Sequence, residues 1–175
     1  MANDMDKETD AILAFLVTFN LSNPILSLSD LSDGSALFEV LQVVYVIISI
    51  NGASLTRTYI SLVLCRDANY FRQLARQPSQ PDNWVLRLSS LKRLYRLMMQ
   101  YYADVYHQPT LNLDVPDLLA IAKDHDPTST LALCRLVIAI TVQSKRNKEI
   151  IDKIQGLSET NQHYIMKAIE QVLLL

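Results

Sequence analysis

The densest gathering of reactive side chains in this sequence is Lys123-Asp124-His125-Asp126-Pro127. A histidine between two carboxylates is material for a metal site or an acid–base pair. Its position argues for neither. The residues fall where one helix should stop and the next begin, and Asp126 before Pro127 reads as the N-cap of that next helix. His107 stands just ahead of Gln108-Pro109, and His163 has Lys167, not a ligand, four residues on. Cys65 and Cys134 are far apart and belong to no paired motif, which rules out a disulfide framework or a zinc module and fits a reducing compartment. Gly34, Gly52 and Gly156 are too scattered to build a phosphate-cradling loop. No Ser/His/Asp or Cys/His grouping has local support. The sequence therefore predicts no enzyme, no metal and no cofactor.

The spacings that remain are those of binding surfaces. Gln162, Met166, Ile169 and Leu173 recur at i, i+4, i+7 and i+11, and Ile165, Ala168 and Val172 form an adjacent apolar stripe. The combined arc is wider than a helix at the edge of a globule needs. One stripe can face the domain. The other, with an adaptable Met and a hydrogen-bonding Gln, can receive a partner helix, although periodicity alone favours core for both. A basic run, Arg87, Lys92, Arg93 and Arg96, offers a patch for an acidic filament surface such as tubulin, or for phosphate. The plainer reading is the solvated face of a long helix. With 16 Lys and Arg against 18 Asp and Glu, the net charge of −2 supplies no excess for a nucleic-acid backbone.

These residues need helices to position them. The 175 residues suit one domain plus a short appendage, and 50% are apolar, enough for a core. Helical periodicity predicts a first helix over 9–19 and a second after Asp33-Gly34 carrying Leu37, Phe38 and Leu41. Asp82 is a candidate cap for a third, running to about His107, with Trp84, Leu88, Leu91, Tyr95, Met98 and Tyr102 on one side. Pro116 should open a helix over 116–123 and Pro127 one over 127–144, the latter apolar nearly all round and hence central. A short helix over 147–155 should stop at Gly156, and Ser158 should cap the last. The polar start of the chain is neither a signal nor a transit peptide. The most apolar run, 40–50, is too short for a span of about 20 residues.

One segment sits badly in this scheme. Residues 43–65 contain a single charge, Arg57, and are crowded with β-branched side chains that disfavour helix. Asn51-Gly52 between the halves is a hairpin-turn signal. The segment reads as a β-hairpin or disordered insert on a helical domain, or as sequence not selected for this fold.

The stretches Leu13-Ala-Phe-Leu-Val-Thr-Phe-Asn20, Leu31-Ser-Asp-Gly-Ser35 and Val40-Leu-Gln42 together resemble the N-terminal domain of Hook proteins. So do Asp82-Asn-Trp84 with the long helix after it, residues 118–125, residues 133–142, and Gln162-His-Tyr-Ile-Met-Lys-Ala-Ile169. The match runs in order over nearly the whole chain. Girdin-like proteins share the domain and are the close alternative. The resemblance implies an all-α, calponin-homology-like domain over 8–155, with an extra C-terminal helix over 157–175. It implies a cytoplasmic, cytoskeleton-associated adaptor linking cargo to dynein, in which the extra helix helps bind a helix of the dynein light intermediate chain. The family's binding Gln, Met and Ile fall on Gln162, Met166 and Ile169. Microtubule contact is also credited to the family domain, with Arg87, Lys92 and Arg93 as the candidate residues. A cytoskeletal module that binds microtubules or actin directly is thus the alternative function.

Two departures stand out. The family runs from the Val-Leu-Gln stretch directly to the equivalent of Asp67-Ala-Asn-Tyr-Phe71, whereas 43–65 intervenes here. Valine codons begin with GT and an arginine codon can begin with AG, the dinucleotides that open and close an intron, so a retained intron is the hypothesis for this insert. Transcript reads crossing Gln42 and Arg66 without a gap would count against it. Family members also continue into dimerising coiled coils, so a homodimer is expected only if one follows in a full-length form.

Overall fold

The computed structural model describes residues 2–46, 83–103, 115–144 and 146–173. Among these the chain is all helix with no strand. In chain order come α1 (Ala2–Val17), a 3-10 turn (Leu28–Leu31), α2 (Ser35–Val46), α3 (Trp84–Tyr101) and α4 (Leu118–Asp124). They are followed by α5 (Pro127–Val142), α6 (Asn147–Gln155) and α7 (Glu159–Leu173).

α5 is the hub. Its residues are buried on every side, Leu131, Leu133, Leu136, Val137 and Ile138 among them, because α2, α3, α4, α6 and α7 all pack on it. Its two buried threonines satisfy their hydroxyls within the helix: Thr130 Oγ1 donates to Asp126 O and Thr141 Oγ1 to Ile138 O, both at 2.7 Å. Asp126 caps its start by accepting from Ser129 N at 2.7 Å, with Pro127 in the first turn.

The helix starts show where local signals compete. α1 begins seven residues before the expected Thr9, because its polar first turns are held by tertiary contacts made by Asp4 and Glu8. α4 does not begin at Pro116. Asp117 is the cap, accepting from Leu119 N at 2.9 Å and Ala120 N at 3.0 Å, and Pro116 sits buried just before it. α3 is capped by Asn83, whose Oδ1 accepts from Val85 N, rather than by Asp82. The expected end of α3 near His107 lies outside the described residues. Trp84, placed on the apolar stripe by periodicity, stands 40% exposed in the first turn, while Leu91, Met98 and Tyr102 carry the buried side.

At the helix ends, α5 stops at Val142, two residues before Ser144. Gly156 follows α6 as expected, but with φ −75° it uses no left-handed conformation. Among the described residues the glycine that does is Gly34, at φ +73° between the 3-10 turn and α2, where a Cβ would come within 3.1 Å of Leu91 Cδ2. Of the segment 43–65, the first four residues continue α2. Val44 is buried and Val43 O accepts from Arg146 Nη1 at 2.9 Å, so core contact here overrides β propensity. The remainder, including the Asn51-Gly52 turn signal and Cys65, lies outside the described residues.

Candidate functional site

The site is built on α7, the extra helix expected over 157–175. Ser158 starts it, with its Oγ accepting from Asn161 N at 3.3 Å. α7 lies across α1 and α5. Two polar contacts clasp one flank of it to α1. Tyr164 Oη donates to Asp4 Oδ1 at 2.6 Å, and Lys167 Nζ donates to Asp4 Oδ2 at 2.8 Å. The Lys167 and Tyr164 bonds, in that order, hold the Asp4 carboxyl below its ordinary range, and Asp4 in turn raises Lys167 and Tyr164. At the other end of the helix, Gln162 Nε2 donates to Gln155 O at 3.1 Å and Leu157 O at 2.8 Å, stitching α7 to the turn after α6.

Along α7 the two stripes divide. Ile165 and Ala168 are buried and Val172 is partly buried, so this stripe faces the domain. On the other stripe Met166 is 49% exposed and Leu173 40% exposed, but Ile169 is only 7% exposed. Helix geometry explains the split. At about 100° per residue, Ile169 lies about 40° from Ile165 and about 60° from Met166, on the boundary between core and open face. Gln162 sits on the same edge, half-buried. The helix thus brings Gln162, Met166 and Ile169 into one line, with Met166 its open member and Ile169 its floor. Leu173 extends that line by one turn. Its spacing was readable in the sequence, although it was not among the three residues set by the resemblance. The anchoring role of Asp4 had no sequence signal, since Asp4 and Tyr164 are 160 residues apart.

The other candidates are scattered. Arg87 Nε donates to Ala122 O at 2.8 Å, tying α3 to the end of α4. Lys92 is exposed and Arg93 half-buried. At about 100° per residue, Arg87, Lys92 and Arg93 point to three different sides of α3 and make no single stripe. His125 is the left-handed residue closing α4, at φ 55°, and Asp126 is engaged as the cap of α5. His163 is exposed and stands edge-on to the Tyr164 ring at 5.4 Å. Among the described residues no His, Cys, Asp and Glu side chains converge as a metal set. Among them, too, no helix is long and apolar enough to cross a membrane.

Comparison with known proteins agrees with this architecture. A family model described as HOOK domain matches residues 7–171. The Hook homolog of Branchiostoma floridae is 29% identical over 97% of the chain and 21% of its own length. Hook homolog 1 of Gallus gallus is 28% identical over 94% of the chain and 20% of its own length. Human Hook homolog 2 is 28% identical over 99% of the chain and 21% of its own length. The chain therefore spans about a fifth of the length of the curated relatives it matches. The solution structure of the conserved domain of mouse HOOK1 superposes with a TM-score of 0.75 at 23% identity, covering 96% of this chain and 91% of that one. With the match spanning all but the ends, and with an all-helical, calponin-homology-like fold that closes on an added last helix, the chain belongs to the HOOK domain family.

Proposed function

We propose that this chain is the protein-interaction module of a cytoplasmic Hook-type adaptor that links cargo to dynein for microtubule-based transport. In this reading α7 receives a helix of the dynein light intermediate chain. The observation that carries the proposal is the half-exposed Met166 beside buried Ile169, on a helix whose neighbouring stripe already packs on the core. An amphipathic partner laid along this edge covers Met166 and Leu173 and rests against the rim of Ile169. Gln162 has directed its amide N–H groups to Gln155 O and Leu157 O, so it offers the partner Oε1, an acceptor. One short helix that orders on binding gives about micromolar affinity, and two copies brought together would gain by avidity.

Calorimetry with a light-intermediate-chain helix peptide tests the proposal. Met166→Ala should weaken binding about tenfold, since truncating a central apolar anchor costs at least about 1 kcal/mol. It should leave the melting temperature unchanged, because the side chain is half in water and Ala favours helix. Unchanged affinity would remove α7 from the interface.

A further inference from the structure

The polar groups nearest the open stripe, within about 40° of Met166 round the helix, are hydrogen-bond acceptors. Glu170 stands one turn beyond Met166 and Glu159 two turns before it, and both are exposed. Gln162, on the near edge, has its N–H groups engaged with Gln155 O and Leu157 O and presents Oε1. The one lysine on α7, Lys167, lies about 100° round the helix from Met166, beyond Glu170, where it is bound to Asp4 and stands over the Tyr164 ring at 5.7 Å. His163 lies further round than Glu170, about 60° from Met166, with its ring edge-on to that of Tyr164. The apolar strip of Met166 and Leu173 is thus bordered by carboxylates and an amide oxygen, which accept hydrogen bonds and favour positive charge.

We infer that the occupant of this stripe is an amphipathic helix whose apolar face is flanked by lysine or arginine, so that its cations meet Glu159 and Glu170 while its apolar residues cover Met166. This rests on α7 being the docking helix. Charge at such a rim sets orientation and selects among partners with similar apolar faces.

Two fluorescent model helices with the same leucine face, one flanked by lysine and one by glutamate, are titrated into the full chain. The lysine helix should bind about tenfold tighter, the sum expected of two exposed pairs turned from attraction to repulsion. In Glu159→Gln/Glu170→Gln the preference should shrink to about twofold, the remainder owing to net charge. Equal binding of the two helices by the parent chain, or a preference undiminished in the double variant, overturns the inference. Met166→Ala separates it from the underlying reading. If that variant weakens both helices and no charge preference exists, the stripe stands and its chemistry has been misassigned. If Met166→Ala leaves both affinities unchanged, the docking helix itself is wrong and the inference falls with it.

Discussion

Glu8 and Arg135 lie 127 residues apart and meet at two points, Nε to Oε1 at 2.6 Å and Nη2 to Oε2 at 2.8 Å, joining α1 to the central helix α5. Both side chains are mostly shielded from water, so the planar fork is held where screening is weak. Removing one partner leaves the other charge shielded and unpaired. Arg135→Ala should lower the free energy of unfolding by about 1–3 kcal/mol, between the values for exposed and buried pairs. Urea titration followed by circular dichroism measures this. A loss within error of zero would show that the pair adds nothing.

The two described glycines should respond in opposite ways to the same change. At Gly34 a Cβ meets Leu91 Cδ2 at 3.1 Å and Leu94 Cδ2 at 3.3 Å, on a backbone at φ +73°. Gly34→Ala should cost about 1–2 kcal/mol from the left-handed conformation alone. At Gly156 the nearest atoms are ordinary contacts at 3.5 and 3.6 Å and φ is −75°. Gly156→Ala should be neutral or stabilise by up to about 1 kcal/mol, through the unfolded chain. Thermal melts of both variants decide the matter, and equal shifts would contradict it.

Asp4 gives the α1–α7 contact a dependence on acid. Its carboxyl is held below the ordinary value of 3.8 by the bonds from Lys167 and Tyr164. A depressed carboxylate contributes to folding above its unfolded value, and the contribution fades as pH falls through the folded one. The clasp should therefore be whole at neutral pH and loosen only below about pH 4. Amide resonances of α7 followed by NMR during acid titration should show this step, and Asp4→Asn should remove it. Identical profiles in the parent and the variant would assign the step elsewhere.

Cys134 is fully buried on α5, and burial pushes its thiol up to about 12. A thiol so placed has almost no thiolate at about pH 8 and no access to reagent. Iodoacetamide should leave Cys134 unmodified in the folded chain and alkylate it in urea, as mass spectrometry of its peptide would reveal. Modification of the folded chain would contradict the packing of α5.

Much of this was legible in the sequence for physical reasons. An all-round apolar helix has to be central, and α5 is; a proline after an aspartate marks a first turn, and Asp126-Pro127 does. Pro116 misled because proline also tolerates the position before a cap, and Asp117 was the stronger capping group. The start of α1 was hidden because long-range partners, Tyr164 and Arg135, stabilise a turn that local composition does not. The edge of α7 was visible as a wide apolar arc. Periodicity favoured core for both stripes; the split between buried Ile169 and open Met166 was not visible, since periodicity gives the width of a face but not the rotation at which neighbours hold it. That rotation is set by packing on α1, far away in the chain, and on α5, with Asp4 clasping the flank.

The most direct measurement is methyl and side-chain amide NMR of the chain during titration with a light-intermediate-chain helix peptide. The Met166 ε-methyl and the Gln162 side-chain amide should show the largest shifts, with Ile169 methyls following and the surroundings of Lys92 on α3 unmoved. Largest shifts around Arg87, Lys92 and Arg93, or no shift along α7 at saturating peptide, would contradict the account.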